Sequence, residues 1–562
     1  MDSPAASRLS GFRLFLLASA VYLACMTPFF LAYLPHLSTA LIGPPVDNMN
    51  DFWGTWYSQK TWDAGGRGFF HTNLVRYPEG VPLYYHSFAF SDLLAIFFIR
   101  KLFHLSEDPY VLAVLHNAAL LASFYFSALG AFYLARRFTR HVVSALFAGY
   151  IFAFSPFHLA HFLNHMNVST IEFIPFFVLC FLKAADTGRP LPLVGAIVFY
   201  FLNAISSWYY FVFASYFLAF YYAYEAIRQR KLILPRLLRT LLITLGAVLL
   251  MISPILVPML FLGWRNPEVR SFGGRYFVAD LLGYLVFPPY HSLAWIGQPV
   301  FKHFTGDYIE MTVYLGIFNL ALFFWTLWNR KRLELPGMTF LLSGMLVFMT
   351  IASGPYLRVL GKAVLPLPAW VLEHLPFFSN VEAKSRAIAY AYLFFGVALG
   401  LGVDAILRLC RERGRPPALL LAPFFLLVFL DFYPRGLVST PVAAPRAYSI
   451  LAQDPDTDFG VLDLPRGYLQ SNAYMMYQAF HHRPIVDATL SRPTAKTLYA
   501  VMENEDMALQ KRQLTKKKVK YIFIHQDWMS AQQPGEQIDV PAYGRTYQPV
   551  YLDDNCVVLR VY

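Results

Sequence analysis

Apolar residues in this chain fall in long unbroken runs. They occupy approximately 12–34, 110–135, 142–160, 172–185, 190–207, 208–227, 240–262, 311–328, 338–353, 386–407 and 418–433. Each approaches the roughly twenty residues a helix needs to cross a bilayer, so the pattern predicts about eleven spans. A further stretch, 87–104 (SFAFSDLLAIFFIRKLFH), is apolar but holds Asp92 and ends on Arg100 and Lys101. It reads as an interfacial or re-entrant helix; the competing reading is a twelfth span. Near residue 436 the pattern changes. Short strand-like runs (FGVLDLP, RPIVDAT, KVKYIFIH, CVVLRVY) alternate with turn-rich or helical stretches, as in an α/β domain. The expected organisation is a membrane domain over 1–435 and an α/β domain over 436–562, the latter large enough to fold alone.

Charge orients the helices. Basic clusters at Arg8/Arg13, Arg136/Arg137/Arg140, Lys183/Arg189, Arg228/Arg230/Lys231, Arg330/Lys331/Arg332 and Arg408/Arg411/Arg413/Arg415 alternate with less basic loops. Placing every cluster in the cytoplasm satisfies the positive-inside rule. The N-terminus is then inside, and the loops 35–109, 158–171, 263–310 and 354–385 lie outside with the C-terminal domain. Arg8 and Arg13 precede an apolar run too long for a signal-peptide core, which predicts a retained first helix in the cytoplasmic (inner) membrane.

Composition agrees. The chain is 57% hydrophobic and 14% charged, with mean hydropathy +0.44, against about a quarter charged in soluble chains. The net charge of +12 belongs largely to the cytoplasmic clusters, which argues for a membrane surface and against nucleic acid. Cys25, Cys180, Cys410 and Cys556 are scattered, with no metal-binding spacing and no readable disulfide framework. No glycine-rich phosphate loop or internal repeat is present.

The polar chemistry collects in the outer loops. The first contains PPVDNMNDFWGTWYSQKTWDAGGRGFFHTNLVRYPEGVPLYY (44–85), in which Asp47 and Asp51, at i and i+4, share a face if the segment is helical. Trp53, Trp56 and Tyr57 are rings of the kind enriched at membrane interfaces. The second loop offers His158, His161, Asn164, His165, Asn167 and Glu172; His161 and His165, also i and i+4, could hold a divalent cation. The third carries Arg270, Arg275, Asp280, Tyr284 and Glu310, the last equally readable as a helix cap, and the fourth carries Lys384 and Arg386. Outside the cytoplasmic membrane a sugar donor must ride on a lipid. Its transfer needs an outer carboxylate as base, cations for the departing phosphate and an apolar groove. Asp47 or Asp51, the outer-loop Arg and Lys residues and the Phe-rich helices supply these. Two other classes compete: a transporter or flippase of a lipid-linked saccharide, and a non-catalytic envelope glycan assembly protein. The plainer alternative for each charged residue is a solvated loop position or a contact with lipid headgroups.

The spacing D-x-x-x-x-x-W followed by RYPEGVPLYY, then FSPFHLAHFLNHMN, ADLLGYLVFPP, VYLG, EAKSR, and in the tail VLDLP and HHRPIVDATLSR, resembles the bacterial GT-C superfamily of polytopic membrane glycosyltransferases. That group includes protein O-mannosyltransferases and the lipid A aminoarabinose transferase. The resemblance implies a multi-helix membrane domain whose first outer loop carries the catalytic acid. Asp47, six residues before Trp53, matches that acid, with Asp51 offset. His165 and Asn167 match the second-loop polar pair, with Glu172 as a substitute. Arg386, and with it Arg270, Arg275, Asp280, Tyr284 and Lys384, become contacts for the substrates. The implied activity is inverting transfer of a hexosyl or pentosyl group from a polyprenyl-phosphate carrier to a lipid, glycan or protein acceptor. Some members of that superfamily need a divalent cation and others do not. The sequence lacks an HPPL-like tetrapeptide and a second-loop acid in the mannosyltransferase position, which leaves the acceptor class open.

Overall fold

A computed structural model describes residues 11–269, 275–374, 380–492, 497–498, 506–531 and 538–562. Each apolar run contains a helix, though the one expected over 311–328 begins only at Ile317 and runs to Leu333. Among the described residues five helices can cross a membrane by length and composition: Gly11–Phe30, Pro109–Ala135, Met166–Thr187, Pro235–Arg265 and Lys384–Glu412. The run expected as one span over 142–160 is instead broken into Val142–Ala153 and Pro156–Phe162, bent by 44°. Its break is written in the sequence as Ser-Pro. Ser155 Oγ accepts the amide of His158 at 3.3 Å, and Pro156 takes the first helical position, where its missing N–H is no loss. Pro190–Ser206, Met338–Ala352 and Ala418–Phe432 are apolar but shorter.

The ambiguous stretch forms the helix Phe90–Leu102. Thirteen residues reach only about 20 Å, short of the roughly 30 Å hydrocarbon core. Its basic end is tied to the first loop, because Arg100 pairs with Asp63 and Lys101 Nζ stands 2.6 Å from the same carboxylate.

The tail builds a four-stranded sheet ordered Gly460–Leu464, Val519–His525, Cys556–Arg560, Gln548–Leu552. The first pair is parallel and the others antiparallel. Ahead of it Ser439–Pro441 pairs antiparallel with Ala40–Ile42, stitching the tail to the start of the first loop. Their cores are joined as well. Phe52, Trp53 and Trp56 of the helix Asp47–Asp63 pack in one cluster with Tyr474 and Met475 of the helix Tyr468–His481 and with Phe523 and Val558 of the sheet. Trp53 and Trp56 are wholly buried and Tyr57 nearly so. The sequence pointed to interfacial rings; the structure makes them core, because another protein surface covers them.

These two helices run side by side in the same direction. Asp47 meets Tyr468, Asn50 Nδ2 donates to Asn472 Oδ1 at 3.1 Å, and Trp53 Nε1 donates to Gln478 Oε1 at 2.7 Å. Parallel helices place both positive dipole ends together, an arrangement that favours a negative charge at the shared end. Asp47, the first residue of its helix, supplies one.

Candidate functional site

That shared end opens on a cavity of about 430 Å³. The first loop contributes Asp47, Asn50 and Asp51, the second His165 and Asn167, and the third Asp307 and Glu310. Glu382 and Arg386 come from the fourth loop, and Tyr468 and Arg492 from the tail. The opposite wall is apolar: Ile205, Val212, Ile252, Ile255 and Met259. The last three lie on Pro235–Arg265, whose apolar stretch is only 22% buried, so this wall adjoins a helix that faces outward over most of its surface.

Asp47 is held at both oxygens. His165 Nε2 lies 2.9 Å from Oδ2, and the Tyr468 hydroxyl donates to Oδ1. Burial pushes this carboxyl up, but the bonds from His165 and Tyr468 and the charge of Arg386 outweigh it and hold Asp47 below its ordinary range. His165 rises in return: burial opposes its charge, and the bond to Asp47 overcomes that. One turn on, Asp51 is treated differently. Among the described residues its Oδ2 accepts only the Met166 amide, at 2.7 Å. Burial drives it up to about 7, with the charges of Asp47 and Asp92 adding to the effect. Two carboxylates on one helix face thus differ in their readiness to take a proton.

Beside them Arg386 Nε donates to Glu310 Oε1 at 2.8 Å, and Ser385 Oγ donates to Oε2 at 2.9 Å. The guanidinium lies over the Tyr209 ring, 4.4 Å from its centre. Burial works against the Glu310 charge, yet Arg386 and His161 keep its carboxyl at about 2. Nitrogen or oxygen atoms of His161, His165 and Glu310 lie within 4.8 Å of one another, a grouping able to hold a cation. The set is engaged in part, although the buried His161 Nε2 has no hydrogen-bond partner among the described residues. The two Nδ1 atoms of the histidines face each other at 3.2 Å, and Arg386 supplies the positive charge that Glu310 requires.

Of the residues singled out in the sequence, Asp47, Asp51, His165, Asn167 and Arg386 converge here. Others do not. Asp280 is buried and accepts the amides of Leu282 and Gly361 at 3.0 and 2.8 Å, which makes it a turn cap. Tyr284 is buried in packing. Lys384 Nζ and Arg275 Nε both address Glu373, at 3.1 and 3.4 Å, off the cavity. Glu172 is buried outside the lining, with Oε2 lacking a hydrogen-bond partner among the described residues. Arg270 lies outside the described residues. Sequence reasoning placed Asp307 in the third outer loop and Arg492 in the run HHRPIVDATLSR without assigning either a role, and passed over Tyr468. Arg492 ends the run HHRPIVDATLSR, whose Thr489, Leu490 and Ser491 also line the cavity; its guanidinium donates to Asn380 Oδ1 at 2.7 Å.

Comparison with known proteins supplies a frame. The family described as Domain of unknown function (DUF6311) matches residues 15–433. No curated protein sequence matches the chain. Among solved structures, the Archaeoglobus fulgidus oligosaccharyltransferase in its apo form aligns over 93% of this chain and 71% of its own at 13% identity, with a TM-score of 0.55. The archaeal oligosaccharyltransferase AglB from the same organism, in complex with an inhibitory peptide and a dolichol-phosphate, aligns over 93% and 70% at 12% identity, with a TM-score of 0.54. ArnT from Cupriavidus metallidurans, bound to undecaprenyl phosphate, aligns over 99% of both chains at 12% identity, but its TM-score of 0.39 is too low to establish a shared fold. The likeness to the archaeal enzyme shows a GT-C-like fold. With its helices of spanning length, the chain is a multi-pass membrane protein.

Proposed function

This chain belongs to the DUF6311 family, and from that premise we propose that it is an inverting glycosyltransferase moving one sugar from a polyprenyl-phosphate carrier to an acceptor hydroxyl. One observation carries the reading. Two carboxylates a helical turn apart, one kept charged and one poised near neutrality, share an apolar-walled cavity with a guanidinium and a histidine whose hold on its proton Asp47 strengthens.

The sequence favours Asp47 as base through its spacing to Trp53; the geometry favours Asp51. A base works best when its pKa lies near the working pH, and both Asp47 oxygens are already bonded. Asp51 takes the acceptor's proton as the acceptor oxygen bonds to the anomeric carbon. The bond from that carbon to the phosphate oxygen breaks, and the electron pair leaves on polyprenyl phosphate. His165, charged through Asp47, and Arg386, oriented by Glu310, face the leaving phosphate. A guanidinium and an imidazolium stabilise that developing charge. The prenyl chain lies along Ile205, Val212, Ile252, Ile255 and Met259. The acceptor approaches beneath the tail, past Tyr84, Ser87 and Ser491.

In this reading residues 1–435 form the membrane domain, with about eleven helices and the N-terminus inside. The cavity and the domain 436–562 face outward from the cytoplasmic membrane. Reconstituted protein is tested with a panel of radiolabelled polyprenyl-phosphate monosaccharides, following loss of label from the lipid. Wild type consumes one of them and Asp51→Asn consumes none; consumption by Asp51→Asn at the wild-type rate refutes the assignment.

A further inference from the structure

Tyr468 stands 421 residues from Asp47 in sequence, yet its hydroxyl donates to Asp47 Oδ1. Ordinary packing does not explain this contact. The Tyr468 residue is 55% exposed and its ring lines the cavity, so burial holds it only in part. What fixes it is the helix Tyr468–His481, registered against Asp47–Asp63 by the Asn50–Asn472 and Trp53–Gln478 bonds. A further bond, Asn50 Nδ2 to the Thr489 carbonyl at 2.7 Å, fastens the following segment. His165 reaches the other oxygen of Asp47 from the membrane side. The carboxylate is therefore clamped between two parts of the chain, and neither part alone fixes both oxygens.

We propose that Tyr468 is a positioning residue for Asp47, so that the polar tail completes the site instead of merely buttressing the helices. The inference rests on the cavity being the place of sugar transfer. It assigns Tyr468 a defined part there: its hydroxyl immobilises Asp47 Oδ1, leaves Oδ2 for His165, and thereby aims the His165 ring at the donor. The other charged groups around Asp47 are Arg386, Asp51 one turn on, and Glu310 acting through His165. None of them takes the place of a donor on Oδ1 among the described residues.

The test uses the full chain and no substrate. Purified protein is treated at one fixed pH with a water-soluble carbodiimide and glycinamide, and modification of Asp47 is followed by peptide mass spectrometry. Tyr468→Phe keeps the ring and removes only the donor. It is expected to speed Asp47 modification about tenfold, as loss of one hydrogen bond to a charged group implies, with the melting temperature lowered by no more than about 1 °C. Tyr468→Gln restores a donor and is expected to bring the rate part of the way back, which a purely structural role would not do. Should Tyr468→Phe fail to fold, Tyr468→Gln against Tyr468→Leu makes the same comparison. A rate in Tyr468→Phe equal to wild type overturns the proposal. Its failure is separable from that of the transfer reading. Faster labelling together with full transfer by Asp51→Asn would leave the clamp standing and remove the chemistry; unchanged labelling with a dead Asp51→Asn would do the reverse.

Discussion

Replacing Asp51 by asparagine separates stability from activity in a way few substitutions can. The carboxyl moves from an ordinary 3.8 up to about 7 on folding, chiefly through burial. At about 1.4 kcal/mol per pH unit, keeping it ionised above pH 7 costs about 4 kcal/mol. The direction follows from linkage. The unfolded chain gives up this proton near pH 4 and the folded chain only near 7, so wild type loses stability steadily between those values and is level above them. The amide that replaces the carboxyl does not titrate, and its oxygen still accepts the Met166 N–H. Asp51→Asn should therefore match wild type near pH 4 and exceed it by a growing margin that flattens above pH 7. With an unfolding entropy of about 2.1 cal/mol/K per residue, the full margin is a rise of about 3 °C in melting temperature. The assay is thermal unfolding in detergent at a series of pH values, beside the transfer assay. A more stable and inactive variant is the signature of a group held ready at the expense of the fold. A melting temperature below wild type at pH 8, or the same margin at pH 5 and pH 8, would refute the account of Asp51.

Other changes test the remaining geometry. Arg386→Ala leaves Glu310 buried without its guanidinium and should destabilise the protein by about 3–5 kcal/mol; adding Glu310→Gln should recover most of that loss in unfolding experiments while transfer stays absent. Gly43 adopts φ +106°, and a Cβ there would stand 1.9 Å from the Leu163 carbonyl oxygen. Gly43→Ala should accordingly separate the first and second loops, lowering the melting temperature and slowing transfer together. Asp280→Ala leaves the half-buried amides of Leu282 and Gly361 without their acceptor, and a loss of about 1 kcal/mol in thermal unfolding is expected, with the KM for the lipid donor unchanged because the residue lies off the cavity.

The helices were legible because apolarity over twenty residues is a local property, and even the bend at Ser155 is spelled by its Ser-Pro pair. Asp47, Asp51, His165 and Arg386 were legible for a related reason: charged residues in short loops of an apolar chain are few. Sequence could not say which loop charges already have partners. Asp280 looks as available as Asp51 until Gly361, eighty-one residues on, is seen donating to it, and Lys384 looks as free as Arg386 until Glu373 comes into view. Trp53 and Trp56 carried the composition of an interface because part of the surface that covers them begins beyond residue 440, beside the loop's own Tyr57, His86 and Phe88. Tyr468 gave no signal, being an ordinary residue at the start of an ordinary helix.

The burial of Trp53 and Trp56 against Tyr474 and Met475 has a bearing on biogenesis. A ribosome adding about 5–20 residues per second finishes the first loop roughly 20 to 70 s before its partner in the tail exists. Through that interval the face of the loop that meets Tyr474 and Met475 stands uncovered, a natural client surface for a chaperone. A nascent chain stopped short of the tail would keep that surface for good, marking the fragment for proteolysis before it could misassemble.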